Sequence, residues 1–83
     1  MASQVTKQKF IEILDHLYND NKTIDYILDR YDLCVRALDE YIISAGYKHG
    51  CILLLKFDSY KKISDNDYVF YNQNDEYAQI RLH

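Results

Sequence analysis

The stretch TIDYILDRYDLCVRALDEYI, Thr23 to Ile42, decides how this chain folds. It contains two short amphipathic runs that meet at Tyr31-Asp32. Ile24, Ile27, Leu28 and Tyr31 recur at helical spacing, while Asp25, Tyr26, Asp29 and Arg30 point elsewhere. Thr23 is a natural cap for this helix, and Asp25 in its first turn suits the positive end of the helix dipole. Asp32 is expected to cap the next helix, which should run to Ala45 before Gly46 supplies a left-handed stop. Its expected buried stripe is Cys34, Ala37, Leu38, Tyr41, Ile42 and Ala45, flanked by Leu33 and Val35. At about 100° per residue, the opposite face carries Arg36, Asp39, Glu40 and Ile43.

Upstream, Ser3 or Thr6 can cap a first helix that runs to about Tyr18. Phe10, Ile13, Leu14 and Leu17 form its apolar stripe, with Lys9, Glu12, Asp15 and His16 on the other side. The polar cluster from Asn19 to Lys22 ends it. Downstream of Gly46 the period changes. CILLLKF, Cys51 to Phe57, is a continuous apolar run that reads as a strand, although periodicity leaves a helix open from Cys51 to Lys62. Ser59 to Asn66 is expected to be a polar connection. Asp67 to Tyr71 and Glu76 to Leu82 then flank a hairpin signal, Asn72-Gln73-Asn74-Asp75. A symmetric loop would set Phe70 opposite Tyr77 and Tyr68 opposite Gln79. The aromatic side of the sheet would then be partly open and the aliphatic side packed on the helices.

Eighty-three residues make a single domain, near the lower size limit for a chain that builds its own core. At 48% hydrophobic residues the interior can be filled. No apolar run is long enough to span a bilayer. Met-Ala-Ser-Gln lacks the features of a signal peptide, which gives a cytoplasmic expectation. Net charge is −3, whereas a dedicated nucleic-acid binder usually carries a basic excess to displace counterions from phosphates. Nine tyrosines without tryptophan or proline, together with many Ile, Lys, Asn and Asp, match the coding bias of AT-rich genomes such as those of phages and mobile elements.

Ile27, Leu28 and Tyr31 before the turn, Leu33 after it, and Leu38 and Tyr41 beyond resemble the apolar skeleton of the helix-turn-helix superfamily. With the C-terminal hairpin, the whole is similar to a winged helix-turn-helix. Asp32 stands where that family often has Gly, and the usual strand between the first two helices is missing. The expected class is therefore α+β. Three N-terminal helices over about 3–45 carry a helix-turn-helix-like core, and a small antiparallel sheet follows over about 50–82.

The resemblance implies that the exposed face of the third helix reads the major groove. Arg36 would contact DNA, with Lys48, Lys61 and Lys62 supplying phosphate contacts. Asp39 and Glu40 on the same face repel phosphates. An Ile43 ringed by Arg36, Asp39 and Glu40 has instead the apolar centre and charged rim of a small protein interface. The leading expectation is a non-enzymatic regulatory protein that binds another protein, of the kind by which phages and mobile elements modulate or inhibit host nucleic-acid machinery. The alternative is a DNA-binding transcriptional regulator. Tyr68, Phe70 and Tyr77, with Arg81 beside them, suggest a stacking platform for single strands, against which stand a place in the core or a homodimer interface.

The residue pattern offers little chemistry. Asp15 and His16 are neighbours on a helix and do not face each other. Cys34, His49, Cys51 and His83 lack the paired short spacings of a structural zinc site. Both cysteines read as small, reduced core residues. Two glycines in all are too few for most nucleotide-binding loops. No catalytic residue, cofactor or metal is expected.

Overall fold

The computed structural model describes residues 4–83. Four helices, α1 (Lys7–Tyr18), α2 (Ile24–Arg30), α3 (Val35–Ser44) and α4 (Ile52–Lys56), precede three strands. The strands are β1 (Ser59–Lys62), β2 (Asp67–Tyr71) and β3 (Tyr77–Arg81), paired antiparallel in the order β1-β2-β3. The protein is thus α+β, helices first and sheet last. No helix among the described residues is long and apolar enough to cross a membrane.

The helix starts follow from their caps. The Thr6 hydroxyl accepts from Lys9 N–H and the Thr23 hydroxyl from Tyr26 N–H, both at 3.1 Å, which satisfies donors that the first turn leaves free. Ser3 lies outside the described residues. Asp32 does not cap α3. It sits in the left-handed region (φ 51°) as the turn residue that ends α2, and Cys34 is the N-cap, without a side-chain bond. Carboxylates tolerate that conformation better than most side chains, which explains an Asp where Gly is common. Gly46 (φ 119°) stops α3 as expected. The shifted start rotates Cys34 out of the buried stripe, and it is exposed.

Within CILLLKF, Ile52–Lys56 is a helix and not a strand. Leu53 and Leu54 are adjacent and both buried, while Ile52 and Leu55 both face out. That pattern fits one turn of helix and not the strict alternation of a strand. The first strand is displaced into the stretch expected to be a connection, Ser59–Lys62.

The hairpin register also differs from the symmetric expectation. Tyr71 pairs with Tyr77, Phe70 with Ala78 and Tyr68 with Ile80. The reason lies in the loop. The Asn72 side chain accepts from the N–H groups of Asn74 and Glu76 at 2.9 and 3.2 Å, and Asp75 takes a left-handed conformation (φ 60°). The connection is therefore odd-numbered, and a one-residue shift exchanges the two faces of a strand. Tyr68 and Phe70 point inward, at 3% and 0% exposure. There they join Tyr60 and Tyr18 in an aromatic cluster with ring centroids 5.3–6.1 Å apart.

One hydrophobic core results. Phe10, Ile13 and Leu14 of α1, Ile27 of α2, and Leu38, Tyr41 and Ile42 of α3 meet Leu53, Phe57, Tyr68, Phe70, Ile80 and Leu82. A backbone bond from Arg81 N–H to the Ala45 carbonyl at 2.8 Å ties the sheet to α3, and the Tyr18 hydroxyl ties α1 to the end of α4 by donating to the Phe57 carbonyl at 2.9 Å. The sheet thereby keeps one face on the core and leaves the other bare.

Candidate functional site: the outward face of α3 and α4

Leu38, Tyr41 and Ile42 turn one side of α3 into the core, so Arg36, Glu40 and Ile43 occupy the centre of the opposite side. Arg36 Nε donates to Glu40 Oε1 at 3.0 Å, a pairing one helical turn apart with both side chains exposed. Such a pair adds at most about 0.5 kcal/mol. It does neutralise the one cation on this face that could read a base. Ile43 is 46% exposed beside it.

Asp39 is placed differently from its expected partners in this face. At the edge of α3 and half-buried, its Oδ1 accepts from the backbone N–H of Cys51 at 2.8 Å. Gly50, buried and left-handed (φ 61°), lets the chain pass so close to it. The Cys51 thiol approaches the Val35 carbonyl at 3.9 Å. The start of α4 thus leans on the first turns of α3, along the edge that a groove-reading helix would need free. Burial, and then the Asp39 charge and hydrogen bond, push the Cys51 thiol up to about 11.

Sequence reasoning missed what α4 contributes. Its outward face is Ile52 (51% exposed) and Leu55 (74%), continuing the edge on which Val35 is 54% exposed. A shallow groove beside Leu55 is lined by Leu17, Ile24, Leu54 and the Lys22-Thr23 turn. Lys56 at the end of α4 reaches Glu76 at 2.9 Å, and their hydrogen bond, then each partner's charge, favours the ionised forms: the Lys56 pKa rises and that of Glu76 falls. Adjacent outward Ile52 and Leu55 would have identified this face, had the run been read as helical.

The other expected residues are scattered. Lys48 and His49 stand exposed on the turn between α3 and α4. Lys61 and Lys62 lie on β1, on the sheet, and Lys62 faces Asp65 at 3.9 Å. Of the aromatic trio, Tyr68 and Phe70 are core residues and only Tyr77 is exposed, so a homodimer contact or stacking platform built on all three is ruled out by burial. The aromatic surface pair is Tyr71 with Tyr77, 44% and 75% exposed.

His16, expected on the solvated side of α1, is half-buried between the rings of Tyr26 and Tyr31, at 5.8 and 5.9 Å. Its Nδ1 has no hydrogen-bond partner, and Asp20 lies 3.6 Å away. Ser44 Oγ and His83 Nε2 are 2.5 Å apart at the end of α3. The Ser44 hydroxyl is within 2.7 Å of the Tyr41 carbonyl, and Tyr41 stacks on the His83 ring, so this group reads as a clasp for the last strand. No three His, Cys, Asp or Glu side chains among the described residues form a metal-binding group. Comparison with protein-family models, with curated proteins and with solved structures returns no match to this chain.

Proposed function

We propose that this chain is a small non-enzymatic regulatory protein that acts by binding another protein through the outward face of α3 and α4. The observation that carries the proposal is the set of four exposed aliphatic side chains there: Val35, Ile43, Ile52 and Leu55. Single exposed aliphatics are ordinary, but four on two successive helices joined through Cys51 to Asp39 and Val35 offer apolar surface of the kind partners cover. The charges around it, Arg36 with Glu40 and Lys56 with Glu76, are already neutralised in pairs. The face therefore suits an apolar contact better than a polyanion. Its composition and size are in keeping with a cytoplasmic modulator of host nucleic-acid machinery encoded by a phage or mobile element.

Partner capture tests the proposal. Leu55→Glu, and separately Ile43→Asp with Glu40→Lys, should each abolish capture of the partner that the unaltered protein retains, with folding preserved. Unchanged capture by both variants would sink it. The alternative, duplex-DNA reading by α3, has less support, because Arg36 is held by Glu40 and α4 leans on the helix. It requires steeply salt-dependent binding to duplex DNA, weakened by Arg36→Ala, Lys48→Ala or the Lys61/Lys62 double alanine. A flat gel-shift titration at low salt would remove it.

A further inference from the structure

The register of the sheet sorts its residues into two sets. Tyr60, Tyr68, Phe70, Ala78 and Ile80 face the helices. Ser59, Lys61, Val69, Tyr71, Tyr77, Gln79 and Arg81 therefore share the outer face, and none of them belongs to the core. Across it Ser59, Tyr71 and Tyr77 form one row, and Lys61, Val69 and Gln79 the next. Asp67 and Arg81 stand in the third. Because Asn72 N–H bonds the Glu76 carbonyl, the alternation of the ladder makes Tyr71 and Tyr77 a non-hydrogen-bonded pair, the closer of the two kinds. Two tyrosines thus occupy directly opposite positions on the exposed side of the sheet.

We infer that this outer face binds single-stranded nucleic acid, with bases stacking on Tyr71 and Tyr77 and phosphates meeting Lys61 and Arg81. A base offers a π-face to any exposed ring, so stacking needs aromatics and cations together and tolerates many sequences. The charges of this face favour such an occupant. Lys61 and Arg81 form no ion pair among the described residues, whereas Arg36, Lys56 and Lys62 each have a carboxylate. Asp67, the carboxylate in the row of Arg81, accepts instead from the Ser64 hydroxyl at 2.7 Å. Glu76 at the hairpin is occupied by Lys56. The outer face therefore carries free cations on a chain whose total charge is −3. A duplex is a poor fit, since its bases are stacked inside and out of reach of a flat sheet. The residues assigned to this surface are not those assigned to the α3–α4 face, so either assignment can fail without the other.

The probe is a fluorescently labelled oligo-dT and its oligo-U counterpart, each about 12 nucleotides long, titrated by anisotropy at low salt. Binding to either is expected, and preference for one tells DNA from RNA. Tyr77→Ala and Tyr71→Ala should each weaken it about tenfold. Lys61→Ala should reduce the slope of log K against log salt by about 0.7, the single-strand value for one phosphate contact. All three residues are exposed at the surface, and a circular dichroism spectrum checks that the variants fold. No binding at low salt would overturn the inference, as would binding indifferent to a Tyr71/Tyr77 double alanine. So would a result in which that double variant loses only capture of a protein.

Discussion

Asp39 and Gly50 are fitted to each other. The Asp39 carboxylate lies 1.7 Å from the point where a Cβ on Gly50 would sit, and it accepts from the next N–H, that of Cys51, at 2.8 Å. This contact sets where α4 begins. It removes a carboxylate from the outward face of α3 and puts Ile52 and Leu55 on display.

Gly50→Ala should be costly on two counts. The left-handed backbone alone costs about 1–3 kcal/mol for a residue with a Cβ, and the Asp39 bond must break as well. Asp39→Ala alone should cost about 1–2 kcal/mol, the lower part of the range for charged hydrogen bonds, since the carboxylate is half-exposed. The double variant should be less destabilised than the sum, because the two losses share one bond. Urea unfolding of the four proteins measures the coupling, and strict additivity would contradict the contact.

The two thiols should react at different rates. Cys34 is exposed, whereas Cys51 is half-buried with its pKa pushed up to about 11. Thiolate is the reactive form, so iodoacetamide near pH 8 should alkylate Cys34 well before Cys51. Asp39→Asn should narrow the gap by removing the charge that opposes ionisation. Mass spectrometry of a time course reads both.

Stability should fall on the alkaline side. Burial raises the pKa of Tyr18, with Asp58 and Tyr60 adding to it, and burial likewise raises those of Tyr41, Tyr60, Tyr68 and Cys51. Above the unfolded pKa values, about 8.5 for Cys and 10 for Tyr, the unfolded chain has lost protons that the folded one keeps. Fewer protons on the unfolded state mean stability declines as pH rises. Urea midpoints should therefore be level below about pH 8, begin to fall above about pH 8.5 through Cys51, and fall more steeply above about pH 9.5 as the tyrosines follow. Tyr18→Phe should soften that fall, at a cost near 1 kcal/mol for the lost bond to Phe57.

Neighbouring tyrosines on β2 should respond in opposite ways. Tyr68→Ala opens a hole in the core and should cost about 3 kcal/mol, while Tyr71→Ala should stay within about 0.5 kcal/mol. Thermal or urea unfolding distinguishes them. The reverse order would mean that the sheet carries the symmetric register.

The helical half was legible because its signals are local. Thr6, Thr23 and Gly46 punctuate the chain where their side chains or backbone freedom require it, and the stripes of α1 to α3 follow the helical period. The displaced elements depend on partners distant in sequence. Ile52–Lys56 forms a helix whose cap, Cys51, is held by Asp39, and periodicity over so few residues does not reveal it. The hairpin slipped by one residue because Asn72 and Asp75 shape an odd-numbered loop, a choice that composition alone leaves open. That single step exchanged Tyr68 and Phe70 for Tyr71 on the outer face. On the outward face of α3, Arg36, Glu40 and Ile43 lie where the sequence places them, while Ile52 and Leu55 were hidden inside the misassigned strand.

The bond from Arg81 N–H to the Ala45 carbonyl has a consequence for how copies of this protein behave when crowded. A short sheet with two bare margins is a template for strand-by-strand polymerisation. Here the C-terminal end of the β3 margin is fastened to the end of a helix, and the margin of β1 carries Lys61, which has no ion-pair partner among the described residues and repels its counterpart on an incoming copy. Resistance to fibre growth is thus divided between a mechanical closure on one side and a Coulombic one on the other, and only the second is weakened by added salt.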